Sequence, residues 1–350
     1  MMTHKDMLAT DRQYFDLAMP EALAPLLEVV DRFAADAEHS KRGPALSPEQ
    51  RSQLLERLQE LDLPGLLLAA EDELVADAPL TLFLIAETLA AVCPELAWRG
   101  LAPITAAAVA RLAGTVYPTS HVQALQLDLF IEQGTGRGRQ WLALSPWPAP
   151  ASTGALVLDW QAAQVLGPLT AAELQTGWKH ETKTGLLGFA GACQQTLRAA
   201  DIPGRLQPQQ WTPATADNAR RWLWGLHGGL LCGVQRAQLR HGMDYAKTRQ
   251  AFGKPIYQHQ AISLRLADMA LAADASRLYL LQTLTDQDAA CREAGGGSFI
   301  VETAHQLARD AVQIAAAHGY VDGLPFKRLF EQARTLAMLF ASLTATPGGE

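Results

Sequence analysis

The sequence predicts an α+β fold that is mostly α: an N-terminal helical domain over 1–112, a small middle β-domain over 113–208 and a C-terminal antiparallel four-helix bundle over 209–350. Three observations predict it. Apolar residues recur at three- and four-residue spacing through both outer regions. Between them, short apolar runs are broken by Gly, Pro and Ser. Finally, one helical pattern runs from Thr215 or Asp217 to Thr248, over about 40 Å, and needs other long helices beside it.

In chain order, Pro20 opens a segment with Leu23, Leu26, Leu27, Val30 and Phe33 on one face. Ser47-Pro48-Glu49 reads as a helix start, with Ser as cap and Pro in the first turn. Leu54, Leu55, Leu58 and Leu61 line its buried side, and Pro64-Gly65 ends it. The stretch from Pro79 to Val92 is apolar on most sides, which predicts a central helix. A fourth helix is predicted from Pro103 to Leu112.

From Gly114 to Leu206 the pattern predicts strands at Leu125–Ile131, Trp141–Leu144, Gly154–Leu158, Gln164–Leu166 and Gly185–Gln194. Gly134-Thr-Gly136-Arg-Gly138-Arg is read as a turn between two of them. It is not a dinucleotide fingerprint, because no helix follows.

Beyond the long helix, a second is predicted from His259 to Ala290 and a loop at Gly295-Gly-Gly297. A third runs from Phe299 to His318, with Ile300, Ala304, Leu307, Ala311 and Ile314 inward and Gly319 at its C-cap. Asp322-Gly323 turns the chain, and Pro325 starts a last helix through Leu343.

Net charge −7 and pI 5.7 argue against a nucleic-acid surface. Cys93, Cys193, Cys232 and Cys291 lack CxxC or Cys/His ligand spacing, so they read as reduced small apolar groups, with no metal site. The N-terminus has no signal-peptide core and no apolar run approaches a membrane span. A soluble, cytoplasmic protein is expected.

The richest stretch is Tyr245-Ala-Lys-Thr-Arg249-Gln-Ala-Phe252-Gly253-Lys-Pro255-Ile256-Tyr-Gln-His259-Gln260. It reads as a helix end, a sharp turn and a helix start. Tyr245 and Arg249 fall one turn apart, Gly253 stops the first helix, and Pro255 forbids immediate continuation. Ile262, Leu266, Met269 and Ala273 mark the second helix. A guanidinium, an exposed aromatic and a His-Gln pair at one mouth suit a phosphate or a purine better than packing. The competing reading is an ordinary helical hairpin with a solvated Arg.

This run resembles the signature at the start of the C-terminal helical domain of the acyl-CoA dehydrogenases, a flavoprotein family. Tyr245, Arg249, Phe252, Gly253, Pro255, Ile256, His259, Gln260, Leu266, Ala267, Asp268, Met269 and Arg277 stand where the family has them. Gln313-Ile-Ala-Ala-Ala-His318-Gly-Tyr320 resembles a second family run, with Ala316 and Ala317 in place of a glycine pair. The resemblance implies an acyl-CoA dehydrogenase-like fold and FAD, weakly held or shared with a partner chain. It implies that Arg249, Phe252, Ile256, His259, Gln260 and Gln313 grip the diphosphate and adenine of a flavin bound mainly by a neighbouring subunit. It further implies an acyl-CoA or carrier-bound acyl substrate, a homo- or hetero-oligomer, and a place in fatty acid metabolism.

The chain also departs from the family. The acidic glycine-rich loop is here Ala69-Ala-Glu-Asp-Glu-Leu-Val-Ala-Asp77, without its glycines. The Thr-Glu-Pro…Gly-Ser segment of the middle domain is missing; Pro103-Ile-Thr105 and Tyr117-Pro-Thr119-Ser120 are the nearest traces, so that domain reads as shortened. Glu181 to Gly188 and Ala200-Asp-Ile-Pro203 resemble its closing strands.

In the family a carboxylate removes the α-proton of the acyl thioester while the β-hydride passes to flavin. Such a proton is too weakly acidic to leave unassisted. Counting on from Arg328-Leu-Phe-Glu331-Gln-Ala-Arg334, the base position falls on Phe340; the alternative seat falls on Leu223. Neither accepts a proton, and Asp217 is nearly two turns from the second. His227 and His318 are weak substitutes, since a lone His on an apolar helix is more often structural. Glu331 reads as a subunit contact, and Trp222 and Trp224 as core packing. Two functions follow: a flavoprotein oxidising the α–β bond of an acyl thioester, or a catalytically silent partner subunit that keeps only the oligomer surface and the adenine-side contacts.

Overall fold

The computed structural model describes residues 23–41, 46–68, 77–112, 209–285 and 294–344 and, between 113 and 208, mainly the strands. The N-terminal region holds α1 (Ala24–His39), α2 (Pro48–Gln59), α3 (Leu63–Leu68), α4 (Ala78–Ala90) and α5 (Pro94–Leu112). Ser47 caps α2 in a reciprocal box: its hydroxyl accepts from the Gln50 N–H, while the Gln50 amide oxygen accepts from the Ser47 N–H at 2.8 Å. Helix α4 is buried on every side, as its all-round apolar pattern predicts.

Two boundaries differ from the sequence reading. Helix α2 ends at Gln59, and Pro64-Gly65 lies inside α3 rather than terminating a helix. A proline in a first helical turn lacks only an N–H that has no helical partner anyway. Helix α5 starts at Pro94 and runs through Pro103. Burial of Leu96, Trp98, Leu101 and Ile104 outweighs the cost of an interior proline, about 3 kcal/mol.

The middle region forms one sheet from β1 (Leu127–Gln133), β2 (Gln140–Ser145), β3 (Gly154–Asp159), β4 (Gln164–Thr170), β5 (Lys183–Thr184), β6 (Cys193–Arg198) and β7 (Gln209–Gln210). The order is β5-β6-β2-β1-β3-β4-β7, parallel only between β1 and β3. The strand predicted at Gly185–Gln194 is displaced to β6, because Gly188 takes φ 78° in a turn. That turn docks on the last helix, where the Gln332 amide donates to the Gly188 carbonyl at 2.9 Å. The segments 69–76, 117–120, 134–139 and 200–203, and most of 181–187, lie outside the described residues.

The C-terminal bundle comprises α6 (Pro213–Thr248), α7 (Gln260–Thr285), α8 (Ala294–Ala315) and α9 (Phe326–Thr344). Helix α6 is capped by Thr212, whose hydroxyl accepts from the Thr215 N–H at 3.1 Å, so Thr215 and Asp217 are interior rather than capping. Gly295 to Gly297 belong to the first turn of α8, not to a loop. Any Cβ at Gly296 or Gly297 would collide with Tyr279 or Thr344, so glycine there permits close helix approach. Helix α8 ends at Ala315 and a 3-10 turn follows over Ala316–Tyr320. The left-handed residue of that end is Ala316 (φ 49°), not Gly319, which the sequence put at the C-cap. The inward stripe Ile300, Ala304, Leu307, Ala311 and Ile314 is buried as predicted.

Helix α4 lies almost backbone to backbone on α6. A Cβ on Gly225, Gly229 or Gly233 would meet the carbonyls of Pro79, Phe83 and Glu87 at 2.5, 2.6 and 2.6 Å. This fourfold-spaced glycine ridge lets one apolar core run from α1 to α9 through both helical regions. A second core, built on Ile256, Met269, Leu307, Ile314 and Phe326, lies where α6 ends and α7 begins.

Candidate functional site

The Tyr245–Gln260 stretch departs from a simple helix–turn–helix. Helix α6 stops at Thr248, and Arg249 is its extended C-cap. Gln250–Ala251 then pairs with Lys254–Pro255 in a two-residue hairpin, so Gly253 does not terminate the helix. Phe252 (φ 51°) and Gly253 (φ 79°) form the tip, both left-handed as a primed turn demands. The Ile256 N–H donates to the Arg249 carbonyl at 2.9 Å, and His259 Nε2 to the Ala251 carbonyl at 3.2 Å. The hairpin is thereby tied to the start of α7.

The six predicted cofactor contacts divide by orientation. Ile256 is buried in the second core and anchors the hairpin. His259 is half-buried, with its ring edge-on to Phe252 at 6.0 Å. Arg249, Gln260 and Gln313 are exposed, and Phe252 is 96% exposed. Among the described residues the Arg249 guanidinium has no ion pair or hydrogen bond within the chain. An exposed Phe in left-handed backbone carries about 1 kcal/mol of strain without compensating packing. A free guanidinium on the turn leading to the N-terminus of a 26-residue helix is what an anionic phosphate needs. These residues therefore fit the nucleotide end of FAD.

The two positions where a base was expected hold buried apolar side chains. Phe340 and Leu223 are fully buried, and Phe340 packs on Trp224 with ring centroids 5.1 Å apart. Trp224 Nε1 donates to the Leu343 carbonyl at 3.2 Å, and Trp222 is buried, so both tryptophans pack as expected. His227 is buried in the same wall and its Nδ1–H donates to the Leu223 carbonyl at 2.8 Å. Burial pushes its imidazole down to about 4, leaving a neutral ring of low basicity. His318 is exposed, its Nδ1 2.9 Å from the Tyr245 hydroxyl and its ring edge-on to that tyrosine. Glu331 is half-buried on α9. No group of three or more His, Cys, Asp or Glu among the described residues could hold a metal.

Sequence reasoning missed Glu87, the one acid inside α4, whose all-apolar company was the available signal. Arg277 Nε donates to both of its oxygens at 2.9 and 3.1 Å, and Arg236 stands 3.6 Å away. Arg277 thus ties α7 to α4 across α6. Arg221–Asp77 and Arg51–Glu95 make further bridges in the helical regions.

Comparison with known proteins agrees with this architecture. The family model described as "Acyl-CoA dehydrogenase, C-terminal domain" matches residues 225–340. An acyl-CoA dehydrogenase of Bacillus subtilis is 41% identical over 106 residues, 29% of this chain and 28% of that protein. The alignment thus spans under a third of each chain. Over nearly the whole length the fold is similar to butyryl-CoA dehydrogenase from Megasphaera elsdenii (TM-score 0.63, 17% identity, 94% and 96% of the two chains). It is equally similar to the ChsE4-ChsE5 complex from Mycobacterium tuberculosis (TM-score 0.63, 18% identity, 94% and 96%). Among the described residues no helix is long and apolar enough to cross a membrane. Residues 225–340 thus resemble the C-terminal domain of the acyl-CoA dehydrogenases, and the chain as a whole shares their fold.

Proposed function

We propose that the chain is an acyl-CoA dehydrogenase-like flavoprotein that oxidises the α–β bond of an acyl thioester with FAD. One observation carries the reading: the outward-facing hairpin that holds Arg249 and Phe252 away from the chain's own core. Arg249 and the N-terminal N–H groups of α7 serve the diphosphate, Phe252 stacks on the purine, and Gln260 and Gln313 offer amides to its edge. Because these groups face away from their own bundle, the nucleotide they hold belongs to a neighbouring subunit. When bound, FAD supplies the acceptor for the hydride lost from the substrate.

A second reading rests on a different observation, the buried Phe340 and Leu223. With no carboxylate at either base seat, the chain is then a silent partner that completes the flavin site of a related, active chain. The ChsE4-ChsE5 structure, to which this chain is similar, is itself a two-component complex.

The visible spectrum of the chain expressed alone separates the two. Near-stoichiometric flavin that bleaches with an acyl-CoA establishes the autonomous enzyme. A colourless protein that gains flavin only beside a related chain establishes the silent subunit. Absence of flavin in both settings overturns the cofactor assignment itself.

A further inference from the structure

We propose that the C-terminal bundle encloses a binding site for a pair of water molecules, lined by Gln235, Gln238, Ser276 and Gln332. None of the four side chains is more than 1% exposed. Among the described residues, both amide atoms of Gln235, the Ser276 hydroxyl and the amide oxygens of Gln238 and Gln332 have no hydrogen-bond partner within the chain. Interiors rarely leave such groups unpaired, and an ordered water is the usual partner where side chains cannot reach one another.

Helix register brings the four together. Trp224 of α6 donates to the Leu343 carbonyl of α9, and Gln238 Nε2 donates to the Leu329 carbonyl at 3.1 Å. The two helices therefore run antiparallel, with Gln235 level with Gln332 and Gln238 less than a turn further along. Towards α7, a Cβ at Gly228 would touch Leu280, and one at Gly242 would touch Leu266. Gln235 stands seven residues from each of these glycines, so it leaves α6 on the face they turn to α7. The same register sets it level with Ala273, with Ser276 less than a turn away.

The amide orientations are settled by their partners. Gln238 Nε2 is held by the Leu329 carbonyl and Gln332 Nε2 by the Gly188 carbonyl. Turning either amide over would set oxygen against oxygen, so both amide oxygens point away from those carbonyls. Hydrogen bonding then balances. Two waters bonded to each other keep three O–H groups for the three amide oxygens. Their remaining lone pairs accept from the Gln235 amino group and the Ser276 hydroxyl. All four side chains are neutral and offer an ion no countercharge, and neighbouring Arg277 is already paired with Glu87. The site thus lies between that clamp and the turn by which the sheet docks on α9.

The test is magnetic relaxation dispersion of water oxygen, which counts long-lived internal waters, on the full chain. Gln235→Leu with Ser276→Ala should lose about two such waters per chain relative to wild type. Gln282→Leu, at an exposed position of α7, should lose none. A high-resolution crystal structure of the wild-type chain is an independent readout, and decides alone if the double variant does not fold. It should show two ordered waters within hydrogen-bond reach of the Gln235 amide. Equal dispersion in wild type and a folded double variant, a direct Gln235–Gln332 hydrogen bond with no water beside it, or an ion in the waters' place would each overturn the site. Neither readout depends on flavin, so this site and the cofactor assignment stand or fall separately.

Discussion

Glu87→Gln removes one charge from the centre of the molecule and leaves its shape. The Glu87 side chain is fully buried and accepts two hydrogen bonds from Arg277 Nε, with Arg236 3.6 Å away. Glutamine keeps one acceptor but removes the negative charge that Arg277 and Arg236 face in the buried interior. Breaking a buried pair from one side costs about 3–5 kcal/mol, mostly the desolvation of the charge left behind. At about 2.1 cal/mol/K per residue of unfolding entropy, a chain of this length would lose roughly 4–7 °C in Tm. The double change Glu87→Leu with Arg277→Met removes both charges and should recover most of that loss, because apolar isosteres replace buried pairs at little cost. Thermal and urea denaturation followed by circular dichroism measure both variants. A Glu87→Gln protein within about 0.5 kcal/mol of wild type, the spread of ordinary surface substitutions, would refute the clamp, as would a double mutant worse than the single.

Further outcomes follow from other positions. Gly229→Ala puts a methyl 2.6 Å from the Phe83 carbonyl and should cost about 1–3 kcal/mol in denaturant unfolding by prising α4 off α6. Phe252→Gly relieves left-handed strain at a nearly naked side chain, so stability should rise by up to about 1 kcal/mol. Flavin retention by the same variant should fall, and a gain or loss in both would contradict the division of roles. His227 is held neutral, with its titration moved down from 6.5 to about 4 by burial. The unfolded chain therefore binds this proton first, so its contribution is complete above 6.5 and is lost as pH falls towards 4, by up to about 3 kcal/mol. His227→Leu should flatten that part of the pH–stability curve, and an unchanged slope there would contradict the assignment.

The helical skeleton was legible because its signals are local. The apolar stripes of α1, α4, α8 and α9 appear in the sequence at the spacing the core uses. The Ser47 cap was equally legible. Boundaries failed where tertiary contact overrides local preference. Pro103 sits inside α5 because its neighbours are buried, and Gly296 and Gly297 continue α8 because only glycine fits against Tyr279 and Thr344. The hairpin at Phe252-Gly253 was hidden because phenylalanine is a poor residue for its left-handed position, and sequence logic gave the whole stop to Gly253. Arg249, Phe252, Gln260 and Gln313 were singled out through the resemblance and stand exposed in the structure, whereas the inward turn of Ile256 was not foreseen. The Glu87–Arg277 clamp joins residues 190 apart in sequence, and no local pattern announces such a pair.

The most direct measurement is the flavin content of Arg249→Ala against wild type, purified in whichever assembly binds FAD and read from the flavin absorbance after gel filtration. Loss of a charge-assisted phosphate contact should weaken retention at least about tenfold, with partial recovery in Arg249→Lys. Equal flavin in the alanine variant and wild type would contradict the claim that this hairpin holds the nucleotide.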